Sequence, residues 1–235
     1  MKALRNIGIA AVAAALLFGE TSCGSMTNTG KGALIGGGSG AAIGAGIGAL
    51  IGGGKGAGIG SAIGAAVGTG AGVLIGRKMD KQQKELEQQL ADKAKVEQVT
   101  DQNGLQAIKV TFDGGILFPT GKYTLNPSAK TDLTHFAVNL RNNPETNVQI
   151  FGYTDNTGSM AVNAPLATNR ANAVMSYLVN SGVSAARLTA KGVPMADYVA
   201  SNDTPEGRAQ NRRVEIYITA NQQMIQQAEQ QAGNN

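Results

Sequence analysis

Glycine recurs with a strict period of four in the first third of the chain. From residue 32 to residue 76 it occupies twelve consecutive positions at that spacing. Positions four apart share one face of an α-helix, so the period predicts a glycine ridge that lets a second backbone approach closely. In water each glycine lowers the stability of a helix by about 1 kcal/mol relative to alanine. In lipid the backbone has no water to bond to and must form its hydrogen bonds internally, which favours a helix. The tract therefore predicts closely packed helices in or on a membrane.

The same tract is a tandem repeat of 24 residues. Lys31–Gly52 and Lys55–Gly76 are identical at 14 of 22 aligned positions. Each copy makes roughly 30 Å of helix, the thickness of a hydrocarbon core, so residues 31–76 predict a helical hairpin. The tract resembles the two-span glycine-zipper segments of bacterial envelope lipoproteins, which implies self-association into a homo-oligomer. A collapsed or disordered linker is the alternative, because alanine and glycine contribute little transfer energy.

The first 22 residues have the layout of a secretory signal. Lys2 and Arg5 precede twelve apolar or small residues, Ile7–Phe18, a run too short for a membrane span. Cys23, the only cysteine, follows directly after two small residues. This placement resembles a bacterial lipobox, which implies lipidation of Cys23. Glu20 stands where leucine is usual, so ordinary signal cleavage is the alternative.

Lipidation at Cys23 would determine where the mature chain resides. Acyl chains hold a protein on a bilayer at roughly 0.8 kcal/mol per buried methylene, without a spanning helix. Gly24, rather than aspartate, follows the cysteine, and by the same resemblance this favours outer-membrane lipid. We therefore expect a protein anchored to the outer membrane with its C-terminal domain in the periplasm.

Residues 77–99 predict a charged, largely solvated helix. They contain no proline or glycine, and opposite charges lie four residues apart, as at Lys81 and Glu85. The apolar positions make only a thin stripe, Met79, Leu86 and Leu90. A parallel partner helix is compatible with that stripe but not required by it. About 23 residues span roughly 35 Å, so residues 77–104 predict a rod and linker that hold the next domain away from the membrane.

Beyond residue 105 the pattern becomes that of a mixed α/β domain. Nine of the ten aromatic residues lie beyond residue 110, so this part can bury one core of ordinary size. Apolar residues alternate in some stretches and recur with the helical period in others, which predicts the order β-α-β-α-β-β. This order predicts helices on one face of a small mixed sheet, which is an α/β fold of the α+β sandwich kind. The predicted elements are a strand with Ile108, Val110 and Phe112, a helix from Asn126-Pro127 to residues 142–144, a strand with Val148 and Ile150, a turn at residues 154–159, a helix to about Asn180, a strand near Leu188 and a strand at residues 214–218.

Charge and cysteine content exclude several functional classes. The formal charge is +4, but the 20 cations are scattered with no run longer than two, whereas phosphate binding needs a clustered basic face. We therefore expect no nucleic-acid partner. One cysteine excludes a disulfide scaffold and, with one histidine, a metal site built on those residues. We expect no cofactor and no metal.

Several blocks of residues in the C-terminal half carry a resemblance to a known domain. They are Thr111–Asp113, Ile150–Ser159, Asn163 with Leu166 and Asn169–Ala171, Gly182–Val183 with Arg187–Leu188, Ala200–Asn202, and Glu206–Glu215. In this order they resemble the OmpA-like peptidoglycan-binding domain, across about residues 108–219. Tyr153, Val162 and Ala167 depart from the usual residues of that family, and none of them replaces a charged position.

The spacing of polar residues predicts a binding cleft. Asp155 lies just past a strand on a glycine-containing turn, and Asn163, Leu166 and Arg170 fall on one stripe of the following helix. This βα turn presents a carboxylate, a guanidinium and an amide, which suits an amino acid held by its ammonium and its carboxylate. An internal Asp155–Arg170 salt bridge is the alternative.

The resemblance implies a ligand and a set of binding residues. The ligand is peptidoglycan, held through the diaminopimelate of a stem peptide, with Asp155 on the ammonium and Arg170 on the carboxylate. The other binding residues are Asn163, Thr154, Leu166 and Gly158, with Phe118 and Thr120 at the border. Arg212 and Arg213 either border the cleft or form ion pairs with Glu206 or Glu215. The expected role is a non-covalent link between outer membrane and wall.

We expect no enzymatic activity. His135, the only histidine, lies on a predicted helix far in sequence from Asp155, and Cys23, the only cysteine, is the predicted lipidation site. These residues therefore cannot form a Cys/His pair or a metal-hydrolase site. Asp113 with Asp155 is the only plausible acid pair for glycoside hydrolysis. A motor stator would need an acid within a membrane span, and residues 31–76 contain none. The remaining alternative makes the glycine hairpin the active, self-associating part, positioned by the wall-binding domain.

These expectations divide the chain into six parts: a signal peptide at 1–22, a lipidated linker at 23–30, the glycine-zipper hairpin at 31–76, a charged spacer helix and linker at 77–104, the OmpA-like domain at 105–220 and a Gln/Asn-rich tail at 221–235.

Overall fold

The computed structural model describes residues 70–101, 103–119 and 121–234. The signal peptide, Cys23 and most of the glycine tract lie outside the described residues. Elements are numbered here in chain order. They are α1 (Gly70–Gln89), β1 (Lys95–Thr100), β2 (Gln106–Asp113), α2 (Gly114–Leu117), α3 (Pro127–Asn142), β3 (Thr146–Tyr153), α4 (Met160–Asn180), a 3-10 turn (Ala185–Arg187), β4 (Leu188–Val193), α5 (Pro205–Asn211), β5 (Arg213–Ala220) and α6 (Gln222–Gly233).

The five strands form one mixed sheet in the order β1-β2-β5-β3-β4. Only β3 and β4 run parallel; every other neighbouring pair is antiparallel. The register sets Val110 opposite Ile216 and Ile216 opposite Ile150, so one face is continuously apolar. The predicted mixed sheet with helices packed on it is confirmed.

Local chemistry explains why the two long helices begin and end where they do. Pro127 occupies the first turn of α3, where its missing N–H has no intrahelical partner to lose. The helix ends at Asn142, two residues before Pro144, as predicted. Leu133, Phe136, Ala137 and Leu140 of α3 are fully buried. α3 and α4 therefore cover the apolar face of the sheet and close the core.

The predicted free-standing spacer is wrong, because α1 is packed onto the domain. It contacts α6, α3 and strands β1 and β2. Its apolar stripe is fully buried, as are Ile75 and the side chain of Gln82, whose Nε2 donates to Asn139 Oδ1 at 2.9 Å. The stripe faces the chain's own core and C-terminal helix. α1 is therefore part of the folded unit instead of a rod leading to it.

The helix predicted for residues 77–99 is also too long. α1 ends at Gln89, and Lys95–Thr100 forms the edge strand β1. Val96 and Val99 supply the β-branched positions, and β1 pairs along its whole length with β2. The stretch has no proline or glycine, so local propensity permits a helix, but pairing with an available sheet edge outweighs that weak preference.

Four further elements depart from the predicted order. α2 directly follows β2, and the 3-10 turn precedes β4. α5 lies between β4 and β5, where no helix was predicted. Within the Gln/Asn-rich tail, residues 222–233 form α6, whose Met224, Ile225 and Ala228 are buried against the domain. Within the described residues, no helix combines the length and the apolar character that a membrane crossing requires.

Burial of α1 makes a stability prediction. Replacing fully buried Leu86 with alanine should lower the free energy of unfolding by about 2–4 kcal/mol, because it leaves a cavity beneath the helix. Urea unfolding of the full chain measures this change. The control is Gln88→Ala on the exposed face of the same helix, expected within about 0.5 kcal/mol of wild type. Equal effects of the two substitutions would show that α1 is not packed on the domain.

Candidate binding site at the end of strand β3

A close contact between β3 and α4 positions the site. Gly152, one residue from the end of β3, lies directly against the backbone of α4: a Cβ there would collide with the carbonyl oxygen of Ala167 and lie 3.1 Å from the nitrogen of Ala171. Arg170 sits between those two alanines. The absence of a side chain at Gly152 therefore lets the helix lie close enough to bring Arg170 to the end of the strand.

The turn at residues 154–159 is fixed by its own hydrogen bonds. The backbone N–H of Thr157 donates to Asp155 Oδ1 at 2.9 Å. Asn163, at the start of α4, donates from Nδ2 to the carbonyl oxygens of Thr157 and Ser159 at 2.8 and 3.2 Å. Gly158 has φ of +89°, a conformation that side chains disfavour. The turn consequently holds Asp155 in one orientation.

Asp155 is buried and ion-paired with Arg212. Its Oδ2 accepts a hydrogen bond from Arg212 Nη1 at 2.6 Å, and the side chains of Asp155 and Arg212 are 8% and 36% exposed. Burial alone would raise the pKa of Asp155, but the bonds from Arg212 and Thr157 outweigh it and hold the pKa below its usual value. Asp155 is therefore a carboxylate at neutral pH.

Arg170 is buried with part of its hydrogen-bonding capacity unused. Its Nε donates to the carbonyl oxygen of Lys122 at 3.1 Å, and its guanidinium carbon lies 5.4 Å from the centre of the Phe118 ring. The residue is only 3% exposed, yet Nη1 is buried and has no hydrogen-bond partner among the residues that the structure describes. Burial lowers the pKa of Arg170, as does the nearby charge of Arg212, whereas Asp155 raises it.

These three side chains form what we call the Asp155 cluster: Asp155, Arg170 and Arg212. Arg212 reaches the cluster because β5 pairs with β3, with Val214 opposite Gly152. The cluster has two positive charges and one negative charge. It can hold a ligand that supplies a carboxylate to Arg170, because a buried guanidinium donor without a partner is costly.

Two family models match the chain in separate places. Residues 117–212 match the OmpA family, and residues 39–83 match the glycine zipper. Strands β2 and β5 of the same sheet lie outside the OmpA match. The first match contains the whole Asp155 cluster, and the second overlaps the first half of α1.

The chain spans less than two thirds of the length of the curated relatives that it matches. The chain is 38% identical over 145 residues to "Probable lipoprotein YiaD" of Escherichia coli strain K12, a match that covers 62% of this chain and 64% of YiaD. It is 43% identical over 112 residues to "Peptidoglycan-binding protein ArfA" of Mycobacterium tuberculosis, covering 48% of this chain and 34% of ArfA. A solved structure titled as the cell wall anchor of the T6SS from Pseudomonas aeruginosa matches with a TM-score of 0.51 and 30% identity, covering 59% of this chain and 99% of that chain.

The structure places the predicted binding residues in different positions around the site. Asp155, Arg170 and Phe118 lie together, while Asn163 and Gly158 shape the turn. Thr154 is 2% exposed, and its Oγ1 accepts a hydrogen bond from the N–H of Met195. Leu166 is half-buried on α4. Thr120 lies outside the described residues.

The two neighbouring arginines have different partners. Each of the two alternatives for this pair applies to one arginine. Arg213 forms the ion pair with Glu215, since its Nε donates to Glu215 Oε1 at 2.7 Å. Arg212 borders the cleft and pairs with Asp155. Arg212 follows the last residue of α5, whereas Arg213 is the first residue of β5.

The candidate catalytic residues His135 and Asp113 lie in the described part of the chain. His135 is exposed on α3. Asp113 caps α2 by accepting a hydrogen bond from the N–H of Gly115 at 2.9 Å. No group of three or more histidine, cysteine, aspartate or glutamate side chains in the described part of the chain is arranged to hold a metal ion.

The Asp155–Arg212 pair makes a pH-dependent stability prediction. Because the folded-state pKa is lowered, the pair stabilises the fold fully above the unfolded-state pKa of about 4, and this contribution is lost as pH falls through the folded-state value. Asp155→Asn should lower the free energy of unfolding by about 1 kcal/mol at pH 7. The difference from wild type should shrink towards zero near about pH 2.

Urea unfolding of both proteins at each pH measures that difference. The control is Glu229→Gln on the exposed face of α6, which should match wild type at both pH values. A deficit in Asp155→Asn that is equally large in acid would mean that the carboxylate charge does not stabilise the fold.

Proposed function

We propose that the OmpA-like domain binds peptidoglycan non-covalently through the diaminopimelate of a stem peptide and thereby links the outer membrane to the wall. The observation that carries the proposal is the buried Nη1 of Arg170, which has no hydrogen-bond partner among the described residues, together with the charge of Asp155, which acts on the same guanidinium. A free diaminopimelate end has one ammonium and one carboxylate. It complements this pair of charges.

The geometry supports a role for each side chain in this proposal. The guanidinium of Arg170 receives the ligand carboxylate, because Nη1 has no partner among the described residues while Nε donates to the carbonyl oxygen of Lys122. Asp155 receives the ammonium, since it is the carboxylate of the cluster and its bonds from Arg212 and Thr157 keep it ionised. Phe118 packs on Arg170 and keeps its guanidinium in place. Asn163 and Gly158 act through the shape of the turn.

The comparisons support the coarser part of this proposal. ArfA is named a peptidoglycan-binding protein, and the Pseudomonas aeruginosa structure is titled a cell wall anchor. The OmpA family match, residues 117–212, contains the Asp155 cluster. Each known protein is matched by only part of this chain, so binding to the wall is inferred here from the site as well as from the likeness.

Anchoring compensates for a weak individual site. Two charge-assisted contacts contribute about 1.5–3 kcal/mol each, set against at least about 4 kcal/mol for association, so one stem peptide binds weakly. Lipid on Cys23 and self-association of the glycine zipper would hold many such domains at a polymeric wall, where weak sites act together. Packing of α1 on the domain keeps it next to the end of the glycine tract.

Binding is tested by co-sedimentation of the full chain with purified diaminopimelate-containing sacculi. Wild type should sediment, and free meso-diaminopimelate should compete for it. Asp155→Asn and Arg170→Gln should each weaken binding by about tenfold or more, since each loses one charge-assisted contact. The matched controls are Glu229→Gln and Arg77→Gln, which neutralise exposed charges on α6 and α1 and should sediment like wild type.

Two results would contradict the proposal. One is unchanged sedimentation of both site variants. The other is lack of competition by meso-diaminopimelate in wild type, a measurement that does not depend on any variant folding. The supernatants also test for catalysis: sustained release of muropeptides by wild type but not by Asp155→Asn would mean that the domain cleaves the wall it binds.

A further inference from the structure

The pairing between Asp155 and Arg212 has a consequence for which ligands the site accepts. This inference rests on the proposed function and concerns the same site. In the free protein, Arg212 Nη1 lies 2.6 Å from the carboxylate oxygen that the ligand ammonium would approach. Binding of an ammonium weakens that pair, because both cations then share one carboxylate. Arg212 is left in need of a second partner.

Charge balance shows what that partner is. The Asp155 cluster has a net charge of +1. A diaminopimelate end with one ammonium and one carboxylate adds no net charge, so one guanidinium remains without its own anion. A ligand with one ammonium and two carboxylates pairs every charge: Asp155 with the ammonium, Arg170 with one carboxylate and Arg212 with the other. The guanidinium of Arg212 is partly exposed, so water screens part of its unpaired charge, and a ligand carboxylate stabilises the rest.

The surroundings of Arg212 suit an exchange of partners. Its backbone is fixed, since its N–H donates to the carbonyl oxygen of Arg208 at 3.1 Å and its own carbonyl oxygen accepts from the N–H of Gly114 at 2.7 Å. Gly114 lies so close that a Cβ there would collide with that oxygen. The side chain, in contrast, is 36% exposed. A long side chain on an immobile backbone can turn from Asp155 to a ligand group without moving the strand.

We propose that Arg212 is a specificity-determining residue, which leaves Asp155 when the diaminopimelate ammonium arrives and binds a second carboxylate of the same stem peptide. The site therefore selects stems in which the carboxylate bound by Arg212 is free over stems in which that carboxylate is amidated. That carboxylate belongs either to the glutamate of the stem or to the end of the peptide chain. Both have the same chemistry, and amidating them one at a time distinguishes them.

The test compares three synthetic stem tripeptides by calorimetry with the full chain. One has all carboxylates free, one is amidated on its glutamate, and one is amidated at its C-terminus. All keep the diaminopimelate ammonium and its neighbouring carboxylate. Wild type should bind the free acid about tenfold more tightly than one of the two amides, the size of one charge-assisted contact at a partly exposed site.

Variants at Arg212 assign the preference to that residue. Arg212→Gln should bind the free acid and that amide within about twofold of each other. Arg212→Lys should keep part of the preference, because it retains the charge but not the forked donor. Arg77→Gln, exposed on α1, should behave as wild type. Thermal unfolding of each variant confirms that the proteins compared are folded.

The outcomes separate this inference from the proposed function. Loss of the preference in Arg212→Gln, with stem binding retained, supports a direct role of Arg212. A preference that survives in Arg212→Gln, its absence from wild type, or an equal weakening towards all three peptides overturns the inference and leaves the proposed function standing. No binding of any stem by wild type overturns both.

Discussion

The contact between Gly152 and the backbone of α4 is the constraint on which the site depends. It allows the helix to lie directly on β3, with Arg170 beside the end of the strand. The same strand pairs with β5 so that Val214 lies opposite Gly152, which brings Arg212 to Asp155 from the other side. One position without a side chain therefore fixes the separation of helix and strand from which the charged residues project.

A protein rarely buries an arginine without giving each donor a partner. Arg170 keeps Nε bonded and stacks near Phe118, but its Nη1 donor has no partner within the described residues. Desolvation of that donor costs free energy in the unbound protein. A ligand carboxylate accepts a hydrogen bond from that donor and offsets this free energy, so the site favours carboxylates over neutral groups. Asp155 adds the requirement for a cation close to that carboxylate.

Local signals predict part of this molecule well. Pro127 and Pro144 mark the limits of α3, and the block from Ile150 to Ser159 marks the turn that holds Asp155. The structure places Arg170 near Asp155, as expected from its position on α4. The secondary structure of residues 77–99 could not be predicted from such local signals. Their composition suits a helix, whereas the pairing of Lys95–Thr100 with β2 depends on a sheet edge that is distant in sequence. The partner of Arg212 likewise follows from the β3–β5 register, which no local pattern encodes.

The central claim is that Arg170 receives a ligand carboxylate on a donor that is unpaired in the free protein. Nitrogen-15 NMR of the arginine side chains, with the full chain titrated by meso-diaminopimelate, tests this most directly. We expect the guanidinium resonances of Arg170, assigned by their loss in Arg170→Lys, to shift on binding, while those of exposed Arg77 stay unchanged. Resonances of Arg170 that remain the same at ligand saturation would contradict the account.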